Sequence, residues 1–238
     1  MYRPFDKYFL SYSPNDGTID FYQRVNALTS LDSVYLDYGA GRAAWFEDSS
    51  NNTLRRLRHM QGKFAEVIGA DVDPIVMENN SVDRSLMIEN DRIKIPDESI
   101  DVIVADYVIE HIQSPTNFVN EINRLLKPGG WFCARTPHKY HYIALGERIM
   151  SPGMENFILR RAQPERLEKD VFEKTYLMNT LSDISKAFPG WNNESYCRRC
   201  DPAYYFGSKL GYHLFDLLHR VSPAFFSGNL FVFIQKPK

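Results

Sequence analysis

The segments Val34-Tyr-Leu-Asp-Tyr-Gly-Ala-Gly41 and Ile68-Gly-Ala-Asp71 decide the fold of this chain. Each begins as a short apolar run typical of a buried strand; the first ends in a glycine turn and the second in a carboxylate. Glycine lets the backbone turn tightly and approach a ligand closely. A carboxylate after the next strand can accept hydrogen bonds from both hydroxyls of a ribose. The two segments therefore predict a βαβ unit that holds a nucleoside.

From residue 34 to 136 the pattern alternates between strands and helices. Because the strands are short, mostly apolar and spaced for helical crossovers, we expect a parallel sheet covered on both faces. The predicted strands are Val34–Asp37, Glu66–Ala70, Ser85–Ile88, Ile100–Ala105 and Trp131–Thr136. Beyond them we expect a helix over Asn117–Leu126 ended by Lys127-Pro-Gly-Gly130, a helix over Tyr176–Phe188, a strand near Ser195–Arg199, a helix from about Ser208 to Val221 and a last strand Leu230–Gln235.

Composition narrows the classes of protein to consider. With 238 residues, 44% of them hydrophobic, the chain suffices for one α/β domain with a full core. A formal net charge of −2 gives no general attraction to nucleic acid, and we expect no nucleic-acid partner. No segment has the length and apolarity of a membrane span or the pattern of a signal peptide, so we expect a cytoplasmic protein.

The cysteines give no metal or redox site. There are three, which do not make a disulfide framework. Cys197-Arg-Arg-Cys200 is a single C-x-x-C pair, and a structural zinc site would need two further ligands. We therefore predict no bound metal.

Two segments outside the central alternation could cover a ligand. Residues 1–30 are rich in aromatic side chains and are either a helix packed on the core edge or a lid over the ligand. Residues 137–180 follow the fifth strand, at the sheet edge where open α/β sheets bind ligands. We interpret them as an insertion that caps the substrate.

Five segments, in this order, resemble a class I S-adenosylmethionine-dependent methyltransferase. They are Leu36-Asp-Tyr-Gly-Ala-Gly-Arg42, Val67-Ile-Gly-Ala-Asp-Val-Asp-Pro74, Ile95-Pro-Asp-Glu-Ser-Ile-Asp101, Ala105-Asp-Tyr-Val-Ile-Glu-His111 and Glu121-Ile-Asn-Arg-Leu-Leu-Lys-Pro-Gly-Gly130. The resemblance implies a single domain over 1–238 with a three-layer Rossmann-like fold. Its sheet would have seven strands, mostly parallel, with helices on both faces and the last strand antiparallel. The continuation Arg135-Thr-Pro-His138, together with Asp170-Val-Phe172, Tyr176 and Asn179-Thr180, resembles a bacterial, type 11-like subgroup often associated with glycan and secondary-metabolite genes.

The resemblance also implies S-adenosylmethionine as cofactor, and a set of residues that bind it. Asp37 would bind the ammonium, Asp71 the ribose, Asn90 or Asp91 the adenine, and Tyr107 or Tyr38 would offer an aromatic face to the sulfonium. The complete predicted set is Asp37, Tyr38, Gly39, Ala40, Gly41, Asp71, Val72, Asn90, Asp91, Asp106 and Tyr107. The implied reaction is methyl transfer to an oxygen or nitrogen of a small molecule or glycan.

A general base is needed only if the methyl acceptor must lose a proton. The candidates beside the substrate are Asp106, His138 and His141. Glu110-His111 is a further acid–base pair, but the histidine is equally well explained by a ring fixed at the start of a helix.

Several alternatives stay open at this point. The family usually has a third glycine where this chain has Ala43, and we expect a small effect because the helix has begun there. The same turn fits the G-x-G-x-x-A pattern of a nicotinamide-dependent oxidoreductase. A catalytically silent methyltransferase-like binding module is another hypothesis. The helix at Ser208–Val221 has a long apolar stripe, explained by core packing or by a dimer surface, so the chain is either a monomer or a homodimer.

Overall fold

A computed structural model describes residues 12–13, 15–47, 52–149, 174–202 and 208–238. Its strands are β1 Val34–Tyr38, β2 Glu66–Asp71, β3 Arg84–Glu89, β4 Arg92–Ile93, β5 Ile100–Asp106, β6 Leu126–Pro137, β7 Asn192–Asn193, β8 Tyr196–Arg199 and β9 Gly228–Gln235. Its helices are α1 Gly17–Ala27, α2 Ala44–Glu47, α3 Asn52–Arg58, α4 Pro115–Leu125, α5 Tyr142–Ile149, α6 Leu181–Ala187, α7 Lys209–Val221 and α8 Ala224–Ser227. Two 3₁₀ turns span Pro74–Glu78 and Ile109–His111.

The strands form one sheet in the order β4-β3-β2-β1-β5-β6-β9-β7, with β8 also paired to β9. Five neighbouring strands run parallel to one another: β3, β2, β1, β5 and β6. The strand β9 runs antiparallel to β6. The predicted α/β fold and its antiparallel last strand are confirmed. The described sheet has nine strands instead of seven, because β4 adds a hairpin at one edge and β7 and β8 share the other edge of β9.

Alternating side chains of the strands divide the core into two layers, as the period of two in a strand requires. On one face Leu36 packs in a cluster with Phe118 and Ile122 of α4. On the other face Tyr35 packs in a cluster with Phe21 of α1. Helices therefore cover both faces of the sheet.

The described part of the predicted N-terminal lid is a core helix. In α1 the side chains of Phe21 and Val25 are completely buried, and Asp16 caps its first turn by accepting from the backbone N–H of Thr18 at 2.8 Å. The helix α1 is thus packed on the core, and a lid role for the segment stays a prediction; residues 1–11 and 14 lie outside the described part.

The helix predicted over Tyr176–Phe188 is shorter than expected. Tyr176 has a φ of +52°, and the helix α6 begins only at Leu181. Thr180 is its N-cap, because its hydroxyl accepts a hydrogen bond from the backbone N–H of Asp183 at 3.0 Å. Of the predicted substrate cap over 137–180, the structure describes α5 and the return from residue 174; residues 150–173 lie outside the described part.

The apolar stripe of α7 faces outward. Its buried side chains are Tyr212 and His219, and His219 Nδ1 lies 2.7 Å from the carbonyl oxygen of Cys200. The stripe predicted to pack in the core is exposed and consists of Leu210, Leu214, Leu217, Leu218 and Val221. Core packing was therefore the wrong explanation for it, and a dimer surface stays a prediction.

In the described part of the chain no helix is long and apolar enough to cross a bilayer.

Candidate active site

A cavity of about 860 Å³ lies at the carboxyl ends of β1, β2 and β5. Of the residues predicted for a site, those that line it are Tyr38, Gly39, Asp71, Val72, Asp91, Tyr107 and His141. Those that do not line it are Asp37, Ala40, Gly41, Asn90, Asp106 and His138. The glycine turn after β1 and the carboxylate after β2 therefore meet at one crevice, as the sequence predicts.

Gly39 needs to be glycine for two reasons. Its φ is +79°, in the left-handed region that side chains rarely adopt, and a Cβ there would lie 2.3 Å from Val108 Cγ2. Its N–H donates to the carbonyl oxygen of Ala70 at 2.7 Å, and the N–H of Ala40 donates to the same oxygen at 3.1 Å. These bonds fix the turn to the end of β2.

Asp71 joins the turn to the next loop. One carboxylate oxygen accepts the N–H of Gly41 at 2.8 Å and the other accepts the N–H of Asp73 at 2.9 Å. Each oxygen retains a second lone pair. Among the described residues, the chain neighbours of Gly41 aside, Asp71 Oδ2 at 4.0 Å is the one atom within 4 Å of where a Cβ on Gly41 would be. Open space thus borders a fixed, buried carboxylate, which fits the two hydroxyls of a ribose.

Asn79 holds the turn from the other side, and the sequence analysis missed it. Its amide nitrogen donates to the carbonyl oxygens of Ala40 at 3.4 Å and Gly41 at 3.0 Å, and its own oxygen accepts from Ser81. The side chain is buried. A lone asparagine after a helical turn carries no sequence signal for this contact, because its partners lie 38 and 39 residues away.

The expectation for Ala43 was based on a wrong placement. The helix α2 begins at Ala44, and Ala43 precedes it with a φ of +55°. An alanine in the left-handed region costs about 1–2 kcal/mol relative to a right-handed conformation. The missing third glycine therefore leaves strain in the backbone of the turn.

Of Asn90 and Asp91, the structure places Asp91 at the cavity. Both residues have positive φ, +52° and +60°, and form the two-residue turn of the β3–β4 hairpin, in which Glu89 pairs with Arg92. Asp91 accepts a hydrogen bond from the Asn117 side chain at 2.9 Å. Asn90 borders a different, shallower pocket.

The two aromatic candidates both line the cavity. Tyr107 has a φ of +61°, its hydroxyl accepts from Asn229 at 2.7 Å, and the Arg135 guanidinium lies 4.8 Å from its ring centroid. A second cation would therefore need the opposite face of this ring. Tyr38 is buried, and its ring packs edge-on against Phe118 at a centroid distance of 5.2 Å.

Asp106 is the buried counter-ion of two arginines. Arg135 donates to both of its carboxylate oxygens at 2.8 Å, Arg58 donates at 3.3 Å, and the hydroxyl of Tyr22 donates at 3.0 Å. Burial opposes ionisation, but the charges of Arg135 and Arg58 outweigh it and lower the pKa of Asp106. A carboxylate that is fully hydrogen-bonded, strongly ionised and outside the cavity is a poor base, which contradicts the role predicted for it.

The two predicted histidine bases are weak bases here. Burial lowers the pKa of His138, whose Nδ1 accepts the N–H of Tyr140 at 3.1 Å. Burial and the neighbouring His219 lower the pKa of His141 to about 3, and its Nδ1 accepts the N–H of Ile143 at 3.2 Å. A neutral ring whose Nδ1 accepts must carry its proton on Nε2, so His141 is a hydrogen-bond donor at the cavity.

Comparison with known proteins places the chain in a family. Residues 11–172, more than half of the chain, match the family model described as a methyltransferase domain. The chain belongs to this methyltransferase family. A probable S-adenosylmethionine-dependent methyltransferase of Mycolicibacterium smegmatis is 45% identical over 81 residues. That match covers 34% of this chain and 32% of the relative's length, so the chain matches only about a third of that protein.

Solved structures support the class I methyltransferase fold. Phosphoethanolamine N-methyltransferase 2 of Haemonchus contortus, in complex with S-adenosylmethionine, has a TM-score of 0.55 at 15% identity, over 93% of this chain and 52% of that one. A putative methyltransferase of Haloferax volcanii, in complex with the activator Trm112, has a TM-score of 0.53 at 16% identity, over 92% and 90% of the two chains. The family uses S-adenosylmethionine, so the nicotinamide-dependent alternative is wrong.

Asp37 lies on β1, near the charged groups of Arg58, Asp106 and Asp71. Burial raises its pKa to about 7, the charge of Arg58 lowers it, and Asp106 and Asp71 raise it again. The carboxyl group is thus poised between its two protonation states at neutral pH. A cation beside it, such as a ligand ammonium, would favour the ionised form.

Glu110 is the acid–base residue that the sequence analysis considered but did not select. Its side chain is 3% exposed and lines the cavity, and its Oε2 accepts the Thr136 hydroxyl at 2.6 Å. Burial raises the pKa of Glu110 to about 7, although the bond from Thr136 and the charge of Lys174 lower it. The signal in the sequence was the Glu110-His111 pair itself; its burial could not be inferred from it.

Proposed function

We propose that this protein transfers a methyl group from S-adenosylmethionine to an oxygen or nitrogen of a polar small molecule or glycan. The observation that carries the proposal is the meeting of the Gly39 turn and the Asp71 carboxylate at one cavity. When bound, S-adenosylmethionine supplies an electrophilic methyl group on a sulfonium. The chain's own residues bind it, orient the acceptor and exclude water.

The residues of the cavity suggest distinct roles. Asp71 accepts hydrogen bonds from the ribose hydroxyls, beside the open space at Gly41. Asp91 accepts a hydrogen bond from the exocyclic amine of adenine. Asp37 interacts with the ammonium through its charge, since it does not border the cavity directly. Tyr38 and Tyr107 supply aromatic surface near the sulfonium.

The remaining polar groups of the cavity suit a polar methyl acceptor. Glu110, His141, Lys174, Asp201 and Asn229 also border it, and together they offer both hydrogen-bond donors and acceptors. Such a lining favours a hydroxyl- or amine-bearing acceptor over an apolar one. A net charge of −2 argues against a nucleic-acid acceptor.

Titration of the purified protein with S-adenosylmethionine and S-adenosylhomocysteine by calorimetry tests the cofactor assignment. Saturable binding at micromolar concentrations is expected, and no saturation at millimolar ligand would remove the proposal. A panel of sugars, amines and glycan fragments, monitored for S-adenosylhomocysteine formation, then tests transfer. Cofactor binding without turnover on any acceptor would favour the silent binding module.

A further inference from the structure

Glu110 is held at the cavity through its backbone. It lies in the 3₁₀ turn Ile109–His111, which follows the end of β5 after two intervening residues. Its carbonyl oxygen accepts the N–H of Thr175 at 2.7 Å and of Tyr176 at 3.2 Å. These bonds join the segment that returns from the cap to the end of the central strand. The backbone of Glu110 is therefore fixed beside the cavity.

Two successive hydrogen bonds fix the carboxyl group: Asn179 donates to Thr136, and Thr136 donates to Glu110. The amide nitrogen of Asn179 donates to Thr136 Oγ1 at 2.6 Å and to the carbonyl oxygen of Pro137 at 3.1 Å. Because the Thr136 hydroxyl has a single proton, it donates that proton to Glu110 Oε2 at 2.6 Å. Glu110 Oε2 is thus a constant acceptor, and a proton taken up by this carboxyl group goes to Oε1.

The charges around Glu110 leave it able to take up a proton near neutral pH. Burial is the largest influence on its pKa, which is raised to about 7 even though the bond from Thr136, a bond from its own backbone N–H and the charge of Lys174 lower it; the charge of Asp106 also raises it. His111 and His141 border the same cavity. His141 stays neutral at this pH because burial lowers its pKa to about 3.

Asp106, His138 and His141, the three predicted bases, do not meet these conditions. Asp106 is fully engaged by Arg135 and Arg58, and His138 does not border the cavity. His141 borders it but uses Nδ1 as an acceptor for Ile143, so its Nε2 carries the proton. Of these four groups, Glu110 combines burial, access to the cavity and an oxygen that the Thr136 bond does not use.

We propose that Glu110 Oε1 accepts the proton that the methyl acceptor loses, and that the acceptor atom therefore bears an exchangeable O–H or N–H proton. This rests on the proposed methyl transfer. The acceptor oxygen or nitrogen forms its bond to the methyl carbon as the carbon–sulfur bond breaks and that electron pair returns to sulfur. The acceptor's proton passes to Glu110 Oε1, which releases it to solvent after the product leaves.

A binding experiment tests this without knowledge of the acceptor. Sinefungin is an S-adenosylmethionine analogue in which a carbon bearing an amine replaces the methylsulfonium, so its ammonium lies where the methyl group reacts. If Glu110 faces that position, the wild-type protein binds sinefungin more tightly than S-adenosylhomocysteine. The Glu110→Gln variant should reduce this preference about tenfold or more, the size of one charge-assisted hydrogen bond, and leave the Kd of S-adenosylhomocysteine within about twofold.

The comparison separates failure of this inference from failure of the proposed function. Binding of neither ligand to the wild-type protein overturns both. Binding of both with a ratio unaffected by Glu110→Gln overturns only the role of Glu110, as does an equal loss for both ligands. As a control, Glu98→Gln changes an exposed glutamate that pairs with Lys236 and should leave the ratio unchanged.

The wild-type protein alone gives a second test, which does not depend on the folding of a variant. Its preference for sinefungin should rise between about pH 6 and 8, as the Glu110 carboxyl group ionises and the ligand ammonium stays charged. A preference that is constant over this range would overturn the proposal.

Discussion

The carboxylate of Asp106 and the guanidinium of Arg135 form a bidentate ion pair, with both nitrogen–oxygen distances 2.8 Å and both side chains 5% exposed. Arg135 also donates to the Thr18 hydroxyl at 2.8 Å, so the pair joins β5, β6 and α1. The ion pair explains why Asp106, the last residue of β5, has a structural role. The sequence had instead suggested Asp106 as a base beside the substrate.

Asp106→Asn should destabilise the protein by about 3–5 kcal/mol, because it leaves the buried charge of Arg135 without its counter-ion. Urea denaturation followed by circular dichroism measures the change. Glu66→Gln is the control: it breaks an exposed pair with Arg84 and should cost at most about 1 kcal/mol. Equal effects of the two substitutions would mean that the Asp106–Arg135 pair is not buried in solution.

Asp71→Ala should weaken binding of S-adenosylhomocysteine by about 1–3 kcal/mol, because the ribose hydroxyls lose their acceptor. It should also lower stability, since the N–H groups of Gly41 and Asp73 lose their acceptors. Asp83→Ala separates the two effects. Asp83 also accepts a backbone N–H, from Val67 at 2.9 Å, but does not border the cavity. It should lower stability and leave calorimetric affinity unchanged, and an equal loss of affinity in both variants would mean that the ribose is placed wrongly.

The central strands and the glycine turn could be predicted from the sequence because local pattern determines them. An apolar run bounded by turn residues indicates a buried strand whatever it packs against, and Gly39 with Asp71 needs only the βαβ geometry. The β3–β4 hairpin also has a local signal, the adjacent Asn90 and Asp91, which tolerate the left-handed conformation.

The acid–base chemistry could not be predicted because it depends on distant partners. The ionised state of Asp106 depends on Arg135, 29 residues away, and on Tyr22, 84 residues away. The bond to Glu110 comes from Thr136, which Asn179 orients from 43 residues further along the chain. A pattern of residue types shows none of these contacts, so the sequence suggested Asp106 as a base and left Glu110 undecided.

Ala43→Gly should raise the free energy of unfolding by about 0.5–1 kcal/mol. The gain from removing a left-handed alanine is about 1–2 kcal/mol, and the larger entropy of glycine in the unfolded chain offsets part of it. Thermal and urea unfolding measure the effect. Ala44→Gly is the matched control, since Ala44 is the first residue of α2 and glycine is unfavourable in a helix. A destabilising Ala43→Gly would show that Ala43 does not have its φ of +55° in solution.

Replacing Glu110 with glutamine should change how stability depends on pH. In the native state the pKa of Glu110 is raised from 4.5 to about 7, so between these values the unfolded chain has lost a proton that the native state still binds. The unfolded state then binds fewer protons, and the free energy of unfolding falls as pH rises across this window. The loss for this one group is about 3 kcal/mol, at 1.36 kcal/mol per pH unit.

The difference between the unfolding free energies of wild type and Glu110→Gln isolates this contribution, because both proteins share the other titrating groups. Asp37, with a pKa raised to about 7, adds a slope of the same sign, and His141, with a pKa lowered to about 3, adds one of opposite sign. Both cancel in the difference. Asp106 has a lowered pKa, so its contribution is constant above pH 4.5. Urea denaturation at intervals from pH 4.5 to 8 should show the difference falling up to about pH 7 and then levelling off. A flat difference would mean that Glu110 is ionised throughout, and therefore that it is more hydrated than its 3% exposure indicates.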